Sequence, residues 1–492
     1  MSEAPDYDVV VVGCGPVGVT TAGLLAGRGL KVAAFDKDVE LFPLPRAAHF
    51  DQEIMRVFQE LGVADELAPS VIVNAGMDFL SADRDVLLSM RAADRTRSGW
   101  PSSLMFHQPG VEDAMRAGAR RLGAELRLGE DVAGVADDGS MVTVSLAGGG
   151  SVTAAYVVAC DGARSPIRKQ LGIAMDDLQF EEPWLVVDLL LADGVAPPSP
   201  IALQVCDPAR PHTLVPMPPP RYRFEFMLLP GETADDVNTP QRVEEFLRPW
   251  LAAGAATVER SAVYTFHGLI AEQWRSGRVF LAGDAAHQTP PFLGQGMCSG
   301  IRDAANLAWK LERVLRHGAA DSLLDTYQTE REPSVRFIVG LAVELGRVIC
   351  TLDPEVAAGR NAGMLAERAA GRGTSGEMGF PPLPAGLLCG DGGGQQAVQP
   401  TVSEVRLDDL VGPRFAVVAR TDAALASDGA QWWQAAGAVL LSAEGHPELG
   451  PTLDAAEADT VVIRPDRYLL AAGVAVQKPS ADAATLVGAG AG

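Results

Sequence analysis

With 492 residues, 47% of them hydrophobic, the chain is long enough for two or three domains, since one core seldom serves much beyond about 300 residues. Its 63 acidic against 40 basic side chains leave a net charge of −23, which argues against nucleic acid or an anionic membrane as a partner. No apolar run reaches the roughly 20 residues of a membrane span, polar Ser2, Glu3 and Asp6 stand where a signal peptide wants positive charge, and the cysteines and histidines form no CxxC or HExxH pattern, so a cytoplasmic protein without disulfides or bound metal is expected.

The run Tyr7-Asp8-Val9-Val10-Val11-Val12 predicts a strand buried on both faces, closed by Gly13-Cys14-Gly15-Pro16-Val17-Gly18 and followed by a helical pattern to Arg28. Glycines at such a turn let the backbone approach a pyrophosphate, and the N–H groups at the helix start attract its charge. A second apolar run from Lys31 ends at Asp36, followed by Lys37, at about the twenty-residue offset where a carboxylate accepts hydrogen bonds from an unphosphorylated adenosine ribose. FAD and NAD both satisfy this motif.

Beyond the Pro45-Arg46-Ala47 turn come His49 and Asp51, the latter placed to cap a helix reaching Leu61. Tyr156 to Cys160 predicts a short buried strand ending in Asp161-Gly162, an acid that either points into the ligand crevice at the strand's carboxyl end or caps the next helix. Arg221 to Met227 alternates polar and apolar residues, which puts Tyr222, Phe224 and Phe226 on one face of an antiparallel strand, either packing on helices or roofing a substrate pocket. A further buried strand, Arg278 to Ala282, ends in Gly283-Asp284 and the loop Pro290-Pro291-Phe292-Leu293-Gly294-Gln295-Gly296, ahead of a helix from about Ser299 to Leu315. The positive end of that helix suits the pyrimidine side of an isoalloxazine, and Asp284 suits a ribityl hydroxyl. NAD needs neither, so the three stretches together point to FAD.

Because those stretches fall near 13, 161 and 284, a discontinuous cofactor domain is expected over 1–180 and 271–370, with an inserted sheet over 181–270, a Gly/Pro/Gln-rich linker over 371–403 and a small α/β module over 404–492. Glu332-Pro333 is expected to interrupt the helical pattern between Asp321 and Cys350, and the last residues, Leu486 to Gly492, to be disordered.

Arg278 to Lys310, Pro45-Arg46-Ala47, His107-Gln108-Pro109 and Arg223 to Gly231 together resemble the class A FAD-dependent aromatic hydroxylases of the para-hydroxybenzoate hydroxylase fold, in the 3-(3-hydroxyphenyl)propionate hydroxylase and phenol hydroxylase branch. The resemblance implies an α/β fold with a Rossmann-like FAD-binding domain, an inserted antiparallel-sheet substrate domain and a thioredoxin-like C-terminal domain, here without CxxC and suited to dimerisation. It implies that Gly13, Gly15, Pro16, Val17, Gly18, Asp36 and Lys37 hold the ADP half, and that Arg46 and Gln108 contact the pyrophosphate and ribityl region. Asp161 and Gly162 would serve FAD and a visiting nicotinamide, and Gly283, Asp284, Pro291, Gly294, Gly296 and Met297 would surround the flavin ring. It further implies reduction by NADH or NADPH and hydroxylation of a phenolic or polyketide-like substrate by molecular oxygen through a C4a-hydroperoxyflavin. For the phenolic proton the candidates are His49 and Asp51; phenol hydroxylases carry an aspartate slightly earlier, where Ala48 or His49 stands. Tyr222, Phe224, His267 and Pro291 are the candidate substrate pocket, with Arg223 or Arg91 available to an aromatic acid. The rival readings are a Baeyer–Villiger oxygenase acting on a ketone and a non-catalytic FAD-binding regulator.

Overall fold

The computed structural model describes residues 4–41, 47–372, 374–375, 380–383, 386, 392–480, 484–485 and 487–488. Strand Tyr7–Val12 lies at the middle of an eight-stranded sheet, parallel to Ser151–Ala159 on one side and Val32–Asp36 on the other, with Val279–Leu281 and Glu125–Leu128 further out in the same direction. Val9, Val10 and Val11 have no solvent exposure, as expected of a parallel strand covered on both faces by helices. Helices Pro16–Gly27 and Gly296–His317 cross beside it, and the crossing depends on Gly300, whose missing Cβ would stand 2.4 Å from a Val17 methyl.

A nine-stranded sheet forms the second layer. Its long strands Met175–Leu191 and Ala256–Ala271 pair antiparallel with each other, and Arg221–Met227, His212–Pro216 and Ala202–Val205 extend it outward. Beyond them it takes in Gly76–Leu80 and Val86–Arg91, strands from far upstream of the 181–270 segment. Its central strands, Ala202–Val205 and Arg221–Met227, are buried on both faces. One face carries Leu185, Val187, Leu214, Tyr222, Phe224 and Phe226 in a separate core with Phe246 and Trp250, from and just after helix Pro240–Leu247. The other face, with Arg223 and Glu225, looks toward the first layer.

Helix Thr326–Ile349 runs through Pro333 as one continuous element, so the boundary expected at Glu332-Pro333 is absent. Proline there removes the hydrogen bond to the carbonyl of residue 329, and Thr329 is exposed, so water can take that carbonyl instead. Near the C-terminus, strands Val439–Ser442, Ala416–Ala419, Thr460–Ile463 and Leu469–Gly473 form a four-stranded mixed sheet. Its one face packs Trp433 and Phe415 against Trp309 of the long helix, and Val487 joins that cluster with its carbonyl accepting Arg313 Nε at 2.6 Å. The disorder expected from Leu486 onward therefore does not hold at Val487, because an apolar side chain there finds a ready core; residues 486 and 489–492 lie outside the described residues. Among the described residues no helix is long and apolar enough to cross a membrane.

Candidate active site

Between the two large sheets lies a cavity of about 880 Å³. Gly13, with φ +100°, would place a Cβ 2.3 Å from the Cys160 carbonyl oxygen, and a Cβ on Gly18 would fall 1.8 Å from the Gly13 oxygen. These two glycines exist for backbone packing. Gly15 differs: no atom of the described residues lies within 4 Å of its absent Cβ, and it borders the cavity with Pro16 and Val17. The helix that starts at Pro16 has no side-chain cap, which leaves its first N–H groups to an anion. Asp36 stands behind this turn and holds it, its Oδ2 accepting Cys14 N at 2.6 Å and its Oδ1 accepting Asp38 N at 2.9 Å. Lys37 is exposed, and neither it nor Gly13, Gly18, Asp36 or Gly283 forms the cavity wall. Arg46 lies outside the described residues.

Of the two parts weighed for Asp161, the structure shows the helix cap. Its Oδ2 accepts Ile167 N at 3.1 Å at the start of the next helix, whereas its Oδ1 is buried with no hydrogen-bond partner among the described residues, and burial pushes the carboxyl above the usual range. Asp161 itself is not part of the cavity wall, but its neighbours Cys160 and Gly162 are, and a buried oxygen without a donor directly behind them suits a ligand hydroxyl. Gln108, the first residue of helix Gln108–Arg121, accepts Ala47 N at 2.8 Å and also borders the cavity, as do Asp284, Pro291, Gly294, Gly296 and Met297. The helix from Gly296 begins three residues earlier than expected and again has no side-chain cap. Three helix N-termini without a side-chain cap, at Pro16, Gln108 and Gly296, thus border one cavity, together with a glycine facing open space. This donor set fits the phosphate, ribityl and ring portions of FAD.

His49 lines the cavity with Nδ1 3.1 Å from the Gly294 carbonyl oxygen. A carbonyl can only accept, so Nδ1 carries the proton and Nε2 keeps its lone pair; burial also lowers the ring's pKa. Asp51 is committed elsewhere. Its Oδ1 caps helix Gln52–Glu60 by accepting Glu53 N at 3.0 Å, and its Oδ2 takes Arg302 Nη2 at 2.5 Å. Burial alone would raise this carboxyl, but the Arg302 guanidinium outweighs it and holds Asp51 below the usual carboxylate range. Arg302 also donates Nε to Glu53 at 2.5 Å and Nη1 to Gln295 at 3.0 Å, and Tyr468 of the C-terminal module donates its hydroxyl to Glu53 at 2.6 Å. Sequence reasoning missed this buried assembly, whose residues border the cavity beside the Gly294-Gln295-Gly296 loop. Arg302 carried one signal, a cation on the buried side of a helix directly after the loop, with Asp51 and Glu53 as its available acids; Tyr468 carried none.

Of the expected substrate pocket, only Pro291 reaches the cavity. Tyr222 and Phe224 point into the separate core, where Tyr222 donates to the Ser199 carbonyl at 3.2 Å, because helix Pro240–Leu247 covers that face of the sheet. Their neighbours Arg223 and Glu225 occupy the wall instead, the consequence of a side-chain period of two. His267 is likewise off the wall, while Tyr264 and Phe266 are on it. Arg91 is on the wall and pairs with Asp78 at 2.7 Å.

The family described as the FAD binding domain matches residues 6–342, and the HcaD C-terminal domain matches 394–487. The chain is 42% identical over 420 residues to a probable NADH-specific resorcinol 4-hydroxylase of Rhodococcus jostii (strain RHA1), covering 84% of this chain and 79% of that one. It is 35% identical to a 3-(3-hydroxy-phenyl)propionate/3-hydroxycinnamic acid hydroxylase of Mycolicibacterium smegmatis (strain ATCC 700084 / mc(2)155), covering 97% and 92%. Among solved structures, aklavinone-11 hydroxylase in complex with FAD and aklavinone superposes with a TM-score of 0.77 at 25% identity, over 99% of this chain and 98% of that one.

Proposed function

The chain belongs to the FAD binding domain family and is an FAD-dependent, NAD(P)H-consuming aromatic monooxygenase, and from that premise we propose that it hydroxylates a phenol ortho or para to an existing hydroxyl, with NADH as its reductant, in the cytoplasm. Its relatives are ring hydroxylases, which favours ring hydroxylation over Baeyer–Villiger insertion and over a non-catalytic role.

When bound, FAD supplies the redox chemistry that joins NADH oxidation to the reduction of oxygen. In our reading the Gly15–Val17 helix start takes the pyrophosphate, Asp161 Oδ1 accepts a ligand hydroxyl, and Asp284 with Gln108 holds the ribityl region. The N-terminus of helix Gly296–His317 favours negative charge on the ring. His49 Nε2 accepts the phenolic proton while the Gly294 carbonyl fixes the tautomer. Phe266 and Phe292, both on the wall, keep water from the reacting atoms. Residues 1–180 and 271–370 form the flavin unit, except that strands Gly76–Leu80 and Val86–Arg91 join the sheet of the substrate unit, 181–270, with 371–403 the link and 404–492 a supporting module in a homodimer.

The observation that supports this reading is His49, whose Nδ1 meets the Gly294 carbonyl and whose side chain borders the same cavity as the helix starts at Pro16 and Gly296. The test is anaerobic reduction of the FAD-loaded protein by NADH and by NADPH across a panel of phenols, followed by aerobic product analysis. A phenol-stimulated reduction faster with NADH, and a product carrying one more ring hydroxyl, are expected. An ester or lactone product would overturn it.

A further inference from the structure

On the cavity face of the nine-stranded sheet, strand register aligns Val186, Glu225, Thr213 and Gln204 in one row across four strands. All four border the cavity and all are buried. Thr213 donates its hydroxyl to Gln204 Oε1 at 2.7 Å, which fixes the amide so that its N–H₂ is the outward end, with the weak acceptor Met77 Sδ at 3.4 Å as its one partner among the described residues. The row therefore presents an acceptor, the Glu225 carboxylate, and a donor, the Gln204 amide.

The neighbouring row settles the charge. Asp188 takes Arg223 through Nε at 2.7 Å and Nη2 at 3.2 Å, and Arg260 through Nε at 2.9 Å and Nη2 at 2.6 Å, while Glu225 lies 3.9 Å from Arg223 Nη1. Two guanidinium groups and two carboxylates sum to zero. A substrate carboxylate at this end would add an unmatched buried negative charge beside Glu225, whereas a hydroxyl is neutral, donates to Glu225 and accepts from the Gln204 type of donor. Building on the hydroxylase reading above, we infer that Glu225, backed by Thr213 and Gln204, is a specificity-determining site that selects an uncharged phenol bearing a second ring hydroxyl and rejects carboxylate-tailed phenols.

The test compares kcat/KM for resorcinol, phenol and 3-(3-hydroxyphenyl)propionate in FAD-loaded wild type, Glu225→Gln and Gln204→Leu, with each dissociation constant read from the flavin absorbance change. Wild type is expected to prefer resorcinol to the propionate by about a hundredfold or more, because a site built around a hydroxyl discriminates strongly. Glu225→Gln should lower the resorcinol-to-phenol ratio about tenfold, through KM rather than kcat, and should improve binding of the propionate; Gln204→Leu should lower the same ratio without that improvement. If Glu225→Gln does not fold, the Gln204→Leu ratio decides alone. A wild type that prefers the propionate, or ratios unchanged within about twofold in the variants, would overturn the subsite and leave the hydroxylase reading standing. If no phenol of any class stimulates NADH oxidation, the hydroxylase reading falls and the subsite with it.

Discussion

His49 and Asp161 owe their chemistry to what each lacks. His49 has one nitrogen tied to a carbonyl and one left with a lone pair, in surroundings that disfavour its charge. Its pKa is lowered from the ordinary 6.5, so the neutral, proton-accepting form prevails at neutral pH and is lost only as pH falls through that lowered value. kcat/KM should therefore show an acidic limb below about 6.5. His49→Asn should erase that limb and lower kcat/KM by about 10²–10⁴, measured across the pH range with the flavin fully bound. Asp161→Ala removes the orphaned Oδ1, and the loss of a buried acceptor for a ligand hydroxyl should weaken FAD binding by about 1–3 kcal/mol, read by fluorescence titration of the apoprotein. An Asp161 variant that holds FAD as tightly as wild type would assign that carboxylate to capping alone.

Which elements can be read from sequence depends on how local their cause is. The strand, glycine turn and helix from Tyr7 to Gly27 were legible because the glycines, the valine run and the helical pattern lie within about twenty residues, and the helix after the Gly294-Gln295-Gly296 loop was legible for the same reason. Strand Arg221–Met227 was legible as a strand, but not which of its faces met the cavity. Both faces are buried, and helix Pro240–Leu247, not the strand, decides that Tyr222 and Phe224 face away. The Arg302, Asp51, Glu53 and Tyr468 assembly joins segments more than four hundred residues apart, beyond the reach of any periodicity. Element packing also makes a sharp prediction at Gly300. A methyl there would meet Val17 at 2.4 Å and the Gly283 backbone at 2.9 Å, so Gly300→Ala should cost about 1–3 kcal/mol and separate the two helices whose N-termini border the cavity. Urea unfolding together with retained flavin measures both effects; unchanged values would mean the crossing is loose.

At the scale of the whole molecule, the C-terminal module is joined to the flavin layer by buried charge as well as by the Trp309 and Trp433 cluster. Arg464 donates to Glu330 at 3.0 and 2.7 Å and to Asp466 at 2.9 and 2.5 Å, and Lys310 donates to Glu330 at 2.8 Å, all with essentially no solvent exposure. Two cations balance two anions, so removing one partner leaves a buried charge uncompensated. Arg464→Met should cost about 3–5 kcal/mol, whereas substituting Lys310 and Glu330 together should cost less than the sum of the single changes. The same cluster sets the acid limit. Burial alone would raise the Glu330 carboxyl, but Arg464 and Lys310 hold it far below its ordinary 4.5, and Arg302 and the His287 and Arg331 pair likewise keep Asp51 and Asp303 below 3.8. A carboxylate whose folded pKa is depressed contributes its full stability above the unfolded value and loses it as pH falls toward the folded one. The melting temperature should accordingly be insensitive to these groups above about pH 5 and drop steeply below about pH 4.5. In Glu330→Gln that drop should be shallower, starting from a lower plateau; an equally steep drop would place the acid sensitivity in the other carboxylates.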